Sequence, residues 1–377
     1  YVADGPHGVS AWGIADDEGN MLDEIHVVAN TIQAEDPVEV DGQSIYPAHH
    51  AAGVHYDAAR NSVWSMSQSL GIRRIDVSDV EAGNGAVGNP LLLPLSATDL
   101  FEHNGIHGVA DAVPGQDHAY DVEFRGDLAY VADGSNGLTI YDLTKDPTDM
   151  ESGFVVGNFG GEKQQNPPLG RTMGIELYEG SGNSLYAFIA SGQRGVSAVD
   201  VTDPANPQLI KVFQPIKIHI EDDGTTEIGH ADGRSVDVHV VGDEVFYSYS
   251  SFGVLVYNAS DLLEALPDGV DPTEIYKKGE SGFDYRPETV SKFVLSEQAG
   301  FEEYGAEALR MEKTQNSERL VFNVAYGDAG VVQIDYTDTA NPQLLNWIDT
   351  VGECADVAIH NGRLFAADHE GGLVQFK

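Results

Sequence analysis

The stretch LAYVADGSNGLTIYDL, Leu128 to Leu143, decides the fold. An alternating apolar segment runs to Asp133. The small residues GSNG follow, and a second alternating segment ends at Asp142. Period-two alternation on both sides of a Gly/Asn turn is the pattern of a β-hairpin.

The same pattern recurs along the chain as YVADGPHGVSAW from Tyr1, SVWSMSQSLGIRRIDV from Ser62, LYAFIASGQRGVSAVDV from Leu185, VFYSYSSFGVLVYNA from Val245, LVFNVAYGDAGVVQIDY from Leu320 and LFAADHEGGLVQFK from Leu364. The marker glycines are Gly8, Gly71, Gly137, Gly195, Gly253, Gly330 and Gly372, spaced by 42 to 77 residues. Six copies follow a further strand, as in AYDVEF from Ala119, SVDVHV from Ser235 and ADVAIH from Ala355. An apolar segment follows most copies, as in LIKVF from Leu209. Four short strands per repeat predict an all-β β-propeller, seven blades of four antiparallel strands, as one domain over residues 1–377. Both ends of the sequence fall inside blades, which suggests missing strands, and a start at Tyr1 reads as processed or partial. Helix is expected only over residues 260–266 and as one turn over 98–103.

GLTIYDL, GVSAVDV, GVLVYNA and GVVQIDY, with DPANP after one of them, resemble the LVIVD repeat family of secreted β-propellers. The resemblance spans nearly the whole chain. It implies the fold and an extracellular, cell-surface or periplasmic location, and it implies no particular activity.

Composition narrows the function classes. Asp and Glu total 61 against 20 Lys and Arg, a formal charge of −41. That balance argues against nucleic acid and anionic membranes as partners. The longest dense apolar stretch, residues 90–95, is too short to span a bilayer. A single Cys excludes a disulfide framework. A carboxylate-rich, Lys-poor surface suits a saline, halophilic setting, where self-repulsion is screened.

In a propeller, the leading strand of each blade begins at one mouth. Aligning the leading strands on Asp121 places His50, His118, Arg171, Arg234, Tyr304 and Glu353 three residues earlier, and Gly53, Gly174, Asp237, Glu307 and Asp356 level with Asp121. The first set mixes bases, cations and an acid, and serves as the candidate catalytic or ligand-binding ring. Asp4, His7, Asp133, Arg194, Asp368 and His369 fall in the facing turns and are candidate ligand contacts. His49, His50, His118 and Glu353 are the candidate ligands of a metal: copper, zinc, iron or calcium. HHAAGVHYDAARNSVWSM from His49 resembles the His-His strand of copper propellers such as nitrous oxide reductase and thiocyanate dehydrogenase, in that one blade alone. Against each of these readings stands a plain structural one, in which polar groups satisfy neighbouring backbone or pair across blades. Cys354 reads as a small buried hydrophobe beside Glu353.

Connections over residues 30–48, 97–117, 160–170, 214–233 and 277–302 are long and are expected to roof the mouth. The leading functional expectation is binding of a small anionic ligand or a protein partner there. A metal-dependent hydrolase or lyase, or a copper oxidoreductase, using the same residues is the second. A structural spacer in a surface assembly is the third.

Overall fold

The structure, a computed structural model, describes residues 1–3, 9–15, 21–31, 38–40, 43–45, 51–67, 71–81, 91–93, 100–101, 119–145, 153–161, 168–220, 226–278, 280, 282–301, 307–316, 318–369 and 371–376. Two compact units divide the chain, residues 1–159 and 160–377.

In the first unit, the first sheet joins Val2–Ala3, Val9–Ala15 and Met21–Thr31, with Leu91–Leu93 added in parallel. The second joins Ala51–Asp57, Ser62–Ser67, Gly71–Asp76 and Leu100–Phe101. The third joins Asp121–Arg125, Leu128–Ala132, Gly137–Asp142 and Val155–Gly160. In the second unit, the fourth sheet runs Gly174–Glu179, Leu185–Ala190, Val196–Asp200, Gln208–Phe213. The fifth runs Asp237–Val241, Glu244–Ser248, Val254–Asn258, Ser291–Phe293. The sixth runs Met311–Gln315, Leu320–Ala325, Val331–Asp335, Gln343–Ile348. A three-stranded seventh follows: Cys354–His360, Arg363–Asp368, Gly372–Phe376. Two separate hairpins, Val38–Val40 with Gln43–Ile45 and Ile216–Ile220 with Thr226–His230, complete the described strands.

The repeat motif is a set of turns fixed by side chains. At the end of the third strand an Asp carboxylate accepts bonds from the backbone N–H and the hydroxyl of the residue two on: Asp76 with Ser78, Asp142 with Thr144. Asp200 with Thr202 and Asp335 with Thr337 repeat the backbone bond. The threonine hydroxyl then accepts the N–H that opens the second strand, Leu185 to Thr202 at 3.0 Å and Leu320 to Thr337 at 3.2 Å. The following DPAN and DTAN turns are closed by Asn206 on Asp203 (2.8 Å) and Asn341 on Asp338 (2.9 Å). Short polar side chains that bind their own backbone terminate strands in this way.

Neighbouring sheets in the second unit pack through aromatic and branched side chains. Phe246 of the fifth sheet meets Phe322 and Tyr336 of the sixth at ring distances of 4.6 and 5.2 Å, all fully buried. Such pairs add about 0.5–1.5 kcal/mol each beyond their burial. Backbone bridges also link successive sheets, from the turn after the second strand to the start of the next leading strand: Gly192 with Ser235, Ser250 with Ala308, Gly327 with Cys354.

Three expectations change. Helix occurs at Ala259–Leu263 and also at Ser78–Glu81, whereas Leu100–Phe101, expected as a helical turn, pairs as a strand with Ile72 and Arg73. The segment 277–302 is not one connection between blades. It contains the fourth strand of the fifth sheet, Ser291–Phe293. The long excursion is therefore residues 259–290, between third and fourth strands. The Pro272 carbonyl accepts the Val212 N–H on the outer strand of the fourth sheet (3.0 Å).

Candidate functional site

Backbone hydrogen bonds fix which leading-strand residues are equivalent. Tyr120, Met173, Val236 and Leu309 each donate their N–H to the carbonyl closing the second strand: Ala132, Ala190, Ser248 and Ala325. The next residue along is thus Asp121, Gly174, Asp237 or Arg310. The sequence alignment placed Glu307 at that level and Tyr304 three residues earlier. The register of the sixth sheet moves both by three, so Glu307 takes the outer position. EEYGAEALR, residues 302–310, has no clean alternation to set its own phase, and pairing with the second strand sets it instead.

His49, His50, His118, Tyr304, Asp4 and His7 lie outside the described residues. Of the others, Arg171, Arg194, Arg234, Glu353 and His369 are exposed. Arg234 and Glu307 are in ion-pair contact at 3.8 Å, and Glu353 meets the His369 imidazole at 3.5 Å. The structure thus brings an Arg of the fifth sheet beside a Glu of the sixth where their leading strands begin. Asp133 and Asp368 take a different role: both are buried and hold their own turns. Asp133 accepts the Thr139 hydroxyl (2.8 Å), and Asp368 accepts the N–H of Gly352 (3.0 Å) and Gly371 (2.6 Å). Cys354 is buried among Ala325, Val331 and Val357, and burial pushes its thiol up to about 12. Among the described residues, no group of three or more His, Cys, Asp or Glu is arranged to hold a metal ion.

Below the outer positions lies a buried polar cluster. Arg310 contacts the Asp237 carboxylate at 3.2 Å and also donates to the Met173 carbonyl at 3.1 Å. The Met311 N–H reaches Asp237 at 2.8 Å. Burial alone would raise the Asp237 carboxyl, but Arg310, His239 and the Met311 N–H outweigh it and hold it at about 2. Burial raises the carboxyl of Glu312.

A cleft of about 260 Å³ opens between the turn and outer strand of the fourth sheet, the hairpin ending at His230 and the excursion that leaves the fifth sheet. Its floor is apolar: Val212, Phe213 and Ile275 are buried. Its rim carries Gln193, Arg194, Gln214, His230, Glu274 and Tyr276. Arg286 holds the walls together. Its fully buried guanidinium binds Asp284 through two nitrogens (2.9 and 2.7 Å), donates to the Gly229 carbonyl at 2.9 Å and stacks 3.7 Å above the Tyr276 ring. The Tyr276 hydroxyl donates to the Ile228 carbonyl, and its ring meets His230 edge-on at 4.9 Å. Burial, then the Arg286 charge, lowers the His230 pKa and favours the neutral ring. Arg194 is the one rim residue that the sequence put forward as a ligand contact; Gln214 and His230 fall in the long connection over residues 214–233. The signal for Glu274 and Tyr276 was the spacing of 77 residues between Gly253 and Gly330, where most others are nearer 60. The excess is the excursion that supplies Glu274, Tyr276 and Arg286.

These features define an all-β β-propeller with four-stranded antiparallel blades. Residues 116–152 and 170–214 match the LVIVD repeat. The fold is similar to the WD40 β-propeller domain of Doa1, at 9% identity and TM-score 0.53, over 99% of this chain and 86% of that one. It is also similar to a chain of the mitotic checkpoint complex, at 10% identity and TM-score 0.50, over 94% and 83%. At such identities the likeness concerns fold alone. No protein of curated function matches the sequence.

Proposed function

We propose that this protein is a secreted or cell-surface, seven-bladed LVIVD-type propeller that binds a small polar ligand with an anionic group in the cleft beside the turn after the second strand of its fourth sheet. The cleft beside Arg194 carries this reading. It joins an apolar floor to a rim of amides, an imidazole and charges of both signs, the usual make-up of a small-molecule site. Arg286 is held by Asp284 and backbone carbonyls, so the wall is pre-formed and recognition falls to the rim. The acidity supports a saline, extracellular setting. A metal in this reading would rest on His49, His50 and His118 with Glu353. Elemental analysis of protein purified without chelator measures it directly.

Ligand-observed NMR against a panel of small carboxylates, sugar acids and polyols tests the binding function. Compounds that bind the wild type are expected to lose at least tenfold in affinity against Arg194→Ala and Tyr276→Ala. A panel with no binder, or binders indifferent to both changes, would overturn the assignment.

A further inference from the structure

His239 lies on the leading strand of the fifth sheet, with both ring nitrogens against acceptors. Nε2 is 2.7 Å from the Met311 carbonyl oxygen and 3.6 Å from Asp237 Oδ2. Nδ1 is 3.3 Å from Glu176 Oε2 on the fourth sheet. A carbonyl oxygen cannot donate, so Nε2 must carry a proton. The Glu176 carboxylate accepts at Nδ1, which calls for a second proton. A neutral imidazole has one N–H and can satisfy only one side.

The charged neighbours fit this state. Asp237 comes from the same strand and Glu176 from the fourth sheet. Arg310, Glu312 and Lys313 come from the sixth. Lys313 sits 3.7 Å from Glu176 and donates to the Val240 carbonyl at 2.8 Å, so it bridges the same two neighbours. Arg310 binds the far oxygen of Asp237. The charge of Asp356 on the seventh sheet bears on Glu312. The Phe322 ring lies 5.9 Å from the imidazole and closes its side.

We propose that His239 is held as a doubly protonated imidazolium that pins the leading strands of the fourth, fifth and sixth sheets to one another, so that this part of the blade stack loosens at alkaline pH. Burial opposes the charge, but Asp237 and Glu176 outweigh it and hold the imidazole well above its ordinary value. The sign follows. A group whose pKa is raised on folding contributes fully below its unfolded value of about 6.5, and the contribution is lost as pH rises through the folded value. Arg234 and Glu307 lie three residues before Asp237 and Arg310. Release of the pin would therefore reach the strands that present the outer charges.

The test is a histidine-specific ¹⁵N NMR titration of the intact protein, with resonances assigned by His239→Gln. Both ring nitrogens of His239 are expected to remain protonated at about pH 8, where an ordinary histidine is neutral. Titration at or below the ordinary value would overturn the proposal. Urea unfolding of wild type and His239→Gln from about pH 6 to 10 gives a second readout. The stability gap is expected to be widest at the acid end and to shrink as pH rises. A gap independent of pH would reduce His239 to a packing residue and contradict the proposal. If the variant does not fold, the wild-type titration still decides, with the resonance assigned through the neighbouring Glu176→Gln variant.

Discussion

Replacing Gly253 by Ala is expected to be far more damaging than making the same change at Gly372, although both occupy the marker position of the repeat. Gly253 has φ of +83° and Gly372 has φ of +68°. Each substitution therefore meets the left-handed penalty of about 1–2 kcal/mol. The surroundings differ. A Cβ on Gly253 would overlap the Phe293 carbonyl oxygen and lie 2.9 Å from its carbonyl carbon, all backbone, whereas a Cβ on Gly372 meets nothing within 4 Å. The fourth strand of the fifth sheet ends at Phe293, opposite Val254, and would have to move away. Losing two of its ladder bonds adds about 2 kcal/mol. Gly253→Ala should thus cost about 3–4 kcal/mol and Gly372→Ala about 1–2 kcal/mol, the backbone penalty alone. Urea midpoints of the two variants against wild type read both. Equal losses would refute the claim that the marker glycine is there for the fourth strand.

Arg310→Met should destabilise by about 2 kcal/mol, because it removes the charged hydrogen bond to the buried Asp237 carboxylate and leaves that carboxylate to the charge of His239 alone. Asp237→Asn should partly rescue that variant in a double-mutant cycle, and strictly additive losses would count against the pair. Thr337→Val leaves the Leu320 N–H without its acceptor, at about 1–2 kcal/mol. It should also move the acid transition upward. Asp335, held at about 2 by the Thr337 hydroxyl and N–H and by Arg319, stabilises above its unfolded value of about 3.9 and loses this as pH falls toward 2. An acid transition unchanged in Thr337→Val would contradict that. With a formal charge of −41, the melting temperature should climb from low salt to molar potassium chloride. A flat or falling curve would remove charge repulsion from the account.

The sequence revealed what is local. Alternation and marker glycines lie within one hairpin, so each repeat announces its own strands. Register in the sixth sheet was hidden, because residues 302–310 carry no phase of their own. Asp133 and Asp368 looked like mouth carboxylates, since a sequence does not distinguish an Asp facing solvent from one folded onto its own turn. The His239 cluster joins residues 63 or more positions apart, Glu176 to His239 and on to Met311, and only strand packing brings them together. The cleft depends on residues 271–286 crossing to the fourth sheet, which repeat spacing signals as an insertion without saying where it goes.

Hydrogen–deuterium exchange with and without the tightest small carboxylate from the NMR panel tests the binding account most directly. The account predicts protection concentrated in residues 193–194, 212–214, 228–230 and 273–276, and none in Arg194→Ala at the same ligand concentration. Protection lying elsewhere in the chain, or persisting undiminished in Arg194→Ala, would contradict it.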